Sequence, residues 1–74
     1  MECQPQQTVT VTVNGEARTI PAGATLGDLI ADLNLEPDRV AVELNRRIVR
    51  RAEWGTRTLD PHAQIEIVQF VGGG

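Results

Sequence analysis

The strongest constraint on the fold is a run of strict alternation that ends in a tight turn. The segment Thr8–Val13 reads Thr-Val-Thr-Val-Thr-Val, and Asn14-Gly15 follows directly. Alternating β-branched residues are typical of a strand with one buried face. Asn-Gly is the strongest short-range hairpin signal, because both residues tolerate positive φ. The sequence therefore predicts a β-hairpin whose return strand covers residues 16–20.

This hairpin belongs to a chain that has no covalent or metal cross-link to support it. The chain has 74 residues, 41% of them hydrophobic, with Cys3 as its single cysteine and His62 as its single histidine. An internal disulfide, a Cys-based zinc cluster and a His-pair metal site are therefore excluded. A chain of this size buries only about 60% of its unfolded surface. We expect a very regular fold or a binding partner to support the core.

One helix and three further strands are predicted after the hairpin. Thr25 is expected to cap the helix, with Asp28 at the capping-box position. The apolar face of this helix contains Leu26, Leu29, Ile30 and Leu33. Residues 34–38 break the helix. The strands that follow are Val40–Leu44, expected to be central because it is nearly all apolar, then Arg47–Val49, and last residues 65–71.

This order of elements predicts an α+β fold of the β-grasp, or ubiquitin-like, type. Its features are a mixed sheet of four to five strands, one main helix packed across one face, and parallel first and last strands. Residues 1–7 are predicted to form a flexible N-terminal tail and residues 8–71 the β-grasp domain. Residues 72–74 are predicted to form a flexible Gly-Gly-Gly tail.

Composition removes several classes of function. The sequence contains no serine, tyrosine or lysine, so serine-hydrolase, Schiff-base and P-loop chemistry lack their key residue. A Cys3–His62 dyad is disfavoured because Cys3 lies in a polar end of the chain. A net charge of −3 with two aromatic residues argues against nucleic-acid binding. The absence of a membrane-spanning run or signal-peptide pattern, with one unpaired cysteine, predicts a cytoplasmic binding or carrier module rather than an enzyme.

The three consecutive glycines Gly72, Gly73 and Gly74 are the most informative residues for function. Without Cβ atoms, such a tail can enter a narrow channel, and its α-carboxylate is ionised at pH 7. A carboxylate must be activated before it reacts, and ATP can activate it by forming an acyl-adenylate. A sulfur nucleophile can then replace AMP and leave a thiocarboxylate. A frayed end or a flexible spacer is the alternative interpretation.

Several segments resemble the ThiS family, the sulfur carriers of thiamine biosynthesis. They are Val-Asn-Gly-Glu at 13–16, Thr-Leu-Gly-Asp-Leu-Ile at 25–30, Val-Glu-Leu-Asn-Arg-Arg-Ile-Val at 42–49, Arg-Ala-Glu-Trp at 51–54 and Val-Gln-Phe-Val-Gly-Gly-Gly at 68–74. The resemblance covers about residues 8 to 74. The glycine tail is shared by carriers that are activated at a C-terminal glycine, and the 42–49 and 51–54 segments narrow the resemblance to ThiS.

The resemblance implies a set of partners. A ThiF-type enzyme would use ATP to adenylate the carboxylate of Gly74, and a persulfide donor protein would supply the sulfur. ThiG would then take the sulfur from the thiocarboxylate into the thiazole of thiamine. The chain itself would catalyse nothing and would bind no cofactor, metal, nucleic acid or membrane. A MoaD-like carrier for molybdopterin is one alternative, although MoaD-like tails usually carry prolines before the glycines. A non-catalytic β-grasp binding module is the other.

Two groups of residues are predicted to dock partners. Alternation along the last strand places Val68 and Phe70 on the face opposite Ile65, and Ile65 is expected to face the core. Val68 and Phe70 would then be exposed beside the tail, where they could anchor a partner. Arg46 and Arg47 lie in a basic cluster that could dock an acidic partner. A solvated surface is the alternative interpretation of that cluster.

Overall fold

The computed structural model describes residues 7–70, in which one helix packs against a mixed five-stranded sheet. The strands are β1 (Thr8–Val13), β2 (Glu16–Pro21), β3 (Val40–Leu44), β4 (Arg47–Val49) and β5 (Gln64–Gln69). The helix α1 covers Leu26–Asp32, and single 3₁₀ turns cover Pro37–Arg39 and Arg51–Glu53. The strand order is β2-β1-β5-β3-β4, and only β1 and β5 pair in parallel. The predicted β-grasp arrangement is confirmed.

Both hairpins turn through two residues that have positive φ. In the β1–β2 turn, φ is 51° at Asn14 and 85° at Gly15, as the Asn-Gly signal predicts. In the β3–β4 turn, φ is 52° at Asn45 and 72° at Arg46. A positive φ costs a residue with a Cβ about 1–2 kcal/mol, least for asparagine. The short turns set the strand registers, which pair Val13 with Glu16 and Leu44 with Arg47.

Helix α1 begins with the predicted capping box. The backbone N–H of Asp28 donates to Thr25 Oγ1 at 3.1 Å, and the backbone N–H of Thr25 donates to Asp28 Oδ2 at 3.0 Å. The two bonds satisfy two backbone donors that a helix start leaves without partners. The helix ends before Asn34, whose φ of 60° is left-handed. The buried positions on its inner face are Leu26, Leu29 and Ile30, with Leu33 partly buried at the C-cap.

The core lies between α1 and one face of the sheet. Its strand residues include Val11, Val13, Val42, Val49 and Ile65, all of them buried. No polar or charged residue is buried within residues 7–70. Trp54 is buried beside the end of β4, where its indole N–H donates to the carbonyl oxygen of Val49 at 2.9 Å. A buried indole N–H with a partner removes the cost of an unpaired donor.

The middle strand of the sheet is β5 rather than β3. The sequence predicts a central β3, and β3 does pair on both sides, with β5 and β4. However, β5 is the central strand, because two strands of the sheet lie on each of its sides. It also ends at Gln69 instead of continuing through residue 71, because its ladder with β3 stops at the start of that strand. Residues 1–6 and 71–74 lie outside the described residues, so the predicted flexible tails stay predictions.

Two glycines at the start of the helical region should respond in opposite ways to alanine. A Cβ on Gly27 would lie 3.6 Å from the carbonyl carbon and oxygen of Trp54, which is ordinary contact. Gly27→Ala should therefore stabilise the fold by about 0.5–1 kcal/mol through helix propensity. Gly23 has free space around it but a φ of 89°. Gly23→Ala should destabilise the fold by about 1–2 kcal/mol.

Urea denaturation of the two variants and the parent chain measures this contrast. A loss of stability in Gly27→Ala would show that the helix start cannot accept a methyl group beside Trp54. The backbone N–H of Gly27 donates to the Trp54 carbonyl at 3.1 Å, and the added methyl group would lengthen that hydrogen bond first.

Candidate functional site

The candidate site is the end of β5 from which the glycine tail leaves. The predicted carrier residues Gly72, Gly73 and Gly74 lie outside the described residues. The structure therefore describes the strand that leads to them and the surface around it. Four residues separate Phe70 from the end of the sequence at Gly74, which is about 13 Å when fully extended.

The two sides of β5 are held differently near this end. On the β3 side, pairing continues to Gln69, and the backbone N–H of Phe70 donates to the Arg39 carbonyl at 2.7 Å. On the β1 side, the backbone pairs are Thr12 with Gln64 and Val13 with Ile65. Beyond Ile65, β1 has turned away into its hairpin.

The side chain of Asn14 continues the pairing where the backbone of β1 stops. The backbone N–H of Ile67 donates to Asn14 Oδ1 at 2.8 Å, and Asn14 Nδ2 donates to the Ile67 carbonyl at 3.2 Å. The carboxamide thus acts as one more peptide group beside β5. Its donor and acceptor satisfy the two backbone groups of Ile67 that a neighbouring strand would otherwise satisfy.

Asn45 makes a related contact at the other end of β5. The backbone N–H of Gln64 donates to Asn45 Oδ1 at 3.0 Å, and the backbone N–H of Asn45 donates to the Gln64 carbonyl at 2.7 Å. Both asparagines are the first residue of a positive-φ turn. Asn45 therefore fixes the start of β5, and Asn14 fixes the stretch of β5 around Ile67.

The sheet face away from the helix carries three exposed large apolar residues. The exposed fractions are 58% for Val68, 54% for Phe70 and 75% for Ile48. The register places Val68 opposite Ala41, and Ile48 opposite Glu43, on the face that does not contact α1. Val68, Phe70 and Ile48 are referred to below as the outer face. The prediction that Val68 and Phe70 are exposed is confirmed, and Ile48 is a further exposed residue on this face.

The predicted basic residues do not gather at the tail. Arg46 lies in the β3–β4 turn beside Gln64, at the opposite end of β5 from Phe70. Arg47 pairs with Leu44 on the helix side of the sheet, so it does not share a face with Val68 and Phe70. The arginine beside Phe70 is instead Arg39, whose Nε lies 3.1 Å from Glu36 Oε1.

Metal ligands, membrane-spanning helices and the Cys3–His62 pair were also considered. Within residues 7–70, no three His, Cys, Asp or Glu side chains are grouped so that they could hold a metal ion. No helix in this part of the chain is long and apolar enough to cross a membrane. His62 is exposed in a turn with a φ of 67°. Cys3 lies outside the described residues, so the Cys3–His62 dyad has no described geometry.

Comparison with known proteins decides the family. The model of the ThiS family matches residues 11–74, which include the glycine tail and all of the sheet except the first three residues of β1. The chain belongs to the ThiS family. The predicted resemblance to the ThiS family is confirmed.

Several ThiS-related proteins show how far the likeness extends. The sulfur carrier protein ThiS of Escherichia coli is 30% identical over 61 residues, covering 82% of this chain and 92% of that protein. The crystal structure of ThiS from Geobacter metallireducens is 28% identical, with a TM-score of 0.77, and the match covers 89% of this chain and all of the other. A designed protein based on human erythrocytic ubiquitin matches at 18% identity with a TM-score of 0.53, which shows the shared ubiquitin-like fold.

A thiazole synthase also contains a ThiS-like segment. The thiazole synthase of Magnetococcus marinus is 44% identical over 62 residues, covering 84% of this chain. The chain spans only 19% of the length of that protein. The rest of the thiazole synthase has no counterpart in this chain.

Two parts of the site were not predicted from the sequence. Ile48 alternates with the buried Val49, so strand periodicity could have placed it on the outer face. The contact between Asn14 and Ile67 joins residues 53 positions apart. No periodic pattern signals a side chain that pairs with a distant backbone, and the Asn-Gly turn already accounts for an asparagine at that position.

Proposed function

We propose that this chain carries sulfur for thiazole synthesis as a thiocarboxylate on Gly74. The observation that carries the proposal is that the ThiS match continues through Gly72, Gly73 and Gly74. The described part of the chain supports it by presenting an exposed apolar surface on the strand that leads to these residues. The proposal requires Gly74 to be the last residue of the mature chain, because the reactive group is its free carboxylate.

The proposed chemistry begins with activation by a ThiF-type enzyme. The Gly74 carboxylate attacks the α-phosphate of ATP, which forms an acyl-adenylate and releases pyrophosphate. The terminal sulfur of a persulfide then attacks the acyl carbon and expels AMP. A thiol reduces the resulting acyl disulfide and leaves the thiocarboxylate. ATP, the persulfide and the thiol all belong to partners, and the carrier supplies only the acyl group.

The proposed sulfur acceptor is a thiazole synthase of the ThiG type. A segment 44% identical to this chain occurs within a protein named thiazole synthase. A carrier and the enzyme that consumes its sulfur gain effective concentration when they share one polypeptide. That arrangement in a relative supports a thiazole synthase as the partner of this chain.

The outer face is the proposed docking surface. Val68 and Phe70 lie on the strand that leads into the tail, so a partner that binds them also sets where the glycines enter. Exposed aromatic and aliphatic anchors in the centre of an interface commonly dominate its binding energy. Arg46 and Arg47 remain predicted electrostatic contacts, and neither lies beside Phe70.

Two alternatives remain distinct from this proposal. A MoaD-like carrier would use the same tail chemistry with a different acceptor, and feeding the thiocarboxylate to each acceptor enzyme separates the two. A non-catalytic β-grasp binding module would keep its function without Gly73 and Gly74. The ThiS match favours the thiamine carrier over both.

Removal of Gly74 should abolish adenylation. With a ThiF-type enzyme, the intact chain should support exchange of labelled pyrophosphate into ATP, and the chain that ends at Gly73 should lower the rate at least about 100-fold. Misplacement of a reacting group by about 1 Å can have an effect of this size. Circular dichroism should be the same for both chains. Equal exchange rates would contradict activation at Gly74.

Phe70→Ala should weaken docking more than it weakens the fold. We expect the Kd for the adenylating enzyme to rise at least about 10-fold, or about 1.4 kcal/mol. The free energy of unfolding should change by less than about 0.5 kcal/mol, because the side chain is largely exposed. Calorimetric titration measures the first quantity and urea denaturation the second.

Arg47→Ala is the matched control for docking, because Arg47 lies on the opposite face of the sheet. If Arg47→Ala weakens binding and Phe70→Ala does not, the partner docks through the basic cluster instead. Ile65→Ala is the control for stability. Ile65 is 1% exposed, and its truncation should cost about 2–5 kcal/mol.

A further inference from the structure

Among the described residues, Asn14 makes the last recorded hydrogen bonds from the β1–β2 hairpin to β5. Among residues 7–70, the backbone bonds between β1 and β5 end with the N–H of Asn14 donating to the Ile65 carbonyl at 2.9 Å. The two side-chain bonds to Ile67 come next. Beyond Ile67, the pairing recorded for β5 lies on the β3 side, where Gln69 is in register with Val40 and the backbone N–H of Phe70 donates to the Arg39 carbonyl.

A strand end that is bonded on one side only can rotate about that side. With the Asn14 carboxamide in place, β5 is bonded on both sides up to Ile67, three residues before Phe70. Without it, two-sided pairing would stop at Ile65. Four residues, which span at most about 13 Å, follow Phe70 in the sequence, so a change of direction at Ile67 would move the point from which those residues start.

We propose that Asn14 is a positioning residue that sets the direction in which β5 presents the glycine tail to the adenylating enzyme. The inference rests on the proposed function, because it concerns the delivery of the Gly74 carboxylate to ATP. Asn14 touches neither ATP nor the carboxylate. It acts through the backbone of Ile67.

The residue type fits this role in two ways. The carboxamide carries a donor and an acceptor side by side, as a peptide group does, so it can satisfy both the N–H and the C=O of Ile67. Asparagine also tolerates the φ of 51° that the hairpin turn requires. Glycine keeps the turn and removes both side-chain bonds. Aspartate keeps an acceptor for the Ile67 N–H and removes the donor to the Ile67 carbonyl.

Asn45 provides a matched control within the same chain. It is also the first residue of a positive-φ turn, with φ at 52°, and its Oδ1 also accepts a backbone N–H of β5. Its partner is Gln64, five residues before Gln69 and about 17 Å away along the strand. Asn45→Gly therefore disturbs β5 at the end that is remote from the tail.

The test compares Asn14→Gly, Asn14→Asp and Asn45→Gly with the parent chain as substrates of a ThiF-type enzyme. Single-turnover acyl-adenylate formation gives the chemical rate, and calorimetric titration gives the Kd. All measurements are made where circular dichroism shows every variant folded. Asn14→Gly should lower the rate at saturation at least 10-fold with Kd changed less than 3-fold. Asn45→Gly should leave both within 3-fold, even where it lowers Tm.

Asn14→Asp should give an intermediate rate, because one of the two bonds survives. If Asn14→Gly does not fold, Asn14→Asp carries the test, with at least a 3-fold slower rate expected at unchanged Kd. A parent-like rate in the folded Asn14 variants, or equal slowing by Asn45→Gly, would overturn the positioning role. A parent chain that is not adenylated at all would instead contradict the proposed function.

Discussion

The pairing of β5 on both of its sides joins the two halves of the molecule. The β1–β2 hairpin and the β3–β4 hairpin make no direct strand pair with each other, and β5 lies between them. Its residue Ile65 is 1% exposed and lies in the core beside Val13. In a small chain with no disulfide, this last strand completes both the sheet and the core. The same strand precedes the glycine tail in the sequence, so the element that closes the fold also leads to the proposed reactive end.

Local signals made most of the fold predictable from the sequence. Asn14-Gly15 predicted the first hairpin, and Thr25 with Asp28 predicted the helix start, because turns and caps depend on residues a few positions apart. The order of the strands in the sheet was harder to predict from the sequence. An apolar β3 was expected to be central, but apolarity reports burial and cannot tell the middle strand from its neighbour. The end of β5 at Gln69 depends on where its partner strand β3 begins, and that pairing joins residues far apart in the sequence.

The candidate site was predictable where strand alternation determines it. Period-2 alternation placed Val68 and Phe70 on the exposed face, and the structure agrees. The same alternation in β4 could have placed Arg47 on the helix side with the buried Val49, and the pairing of Arg47 with Leu44 agrees. The Asn14 contact, in contrast, could not be predicted. A side chain that replaces a backbone strand leaves no mark in hydrophobic periodicity, and here it connects the first turn with the last strand.

The folded domain and the proposed reactive group are different parts of the chain. A regular β-grasp body with no buried polar residue among those described holds β5, and the proposed reaction takes place on glycines beyond it. The most direct test of this account is intact-protein mass spectrometry after incubation with ATP, a ThiF-type enzyme and a persulfide donor. The account predicts a mass increase equal to the replacement of one oxygen by sulfur, which is absent when Gly74 is removed. An unchanged mass for a chain that ends at Gly74, with an enzyme active on another carrier, would contradict it.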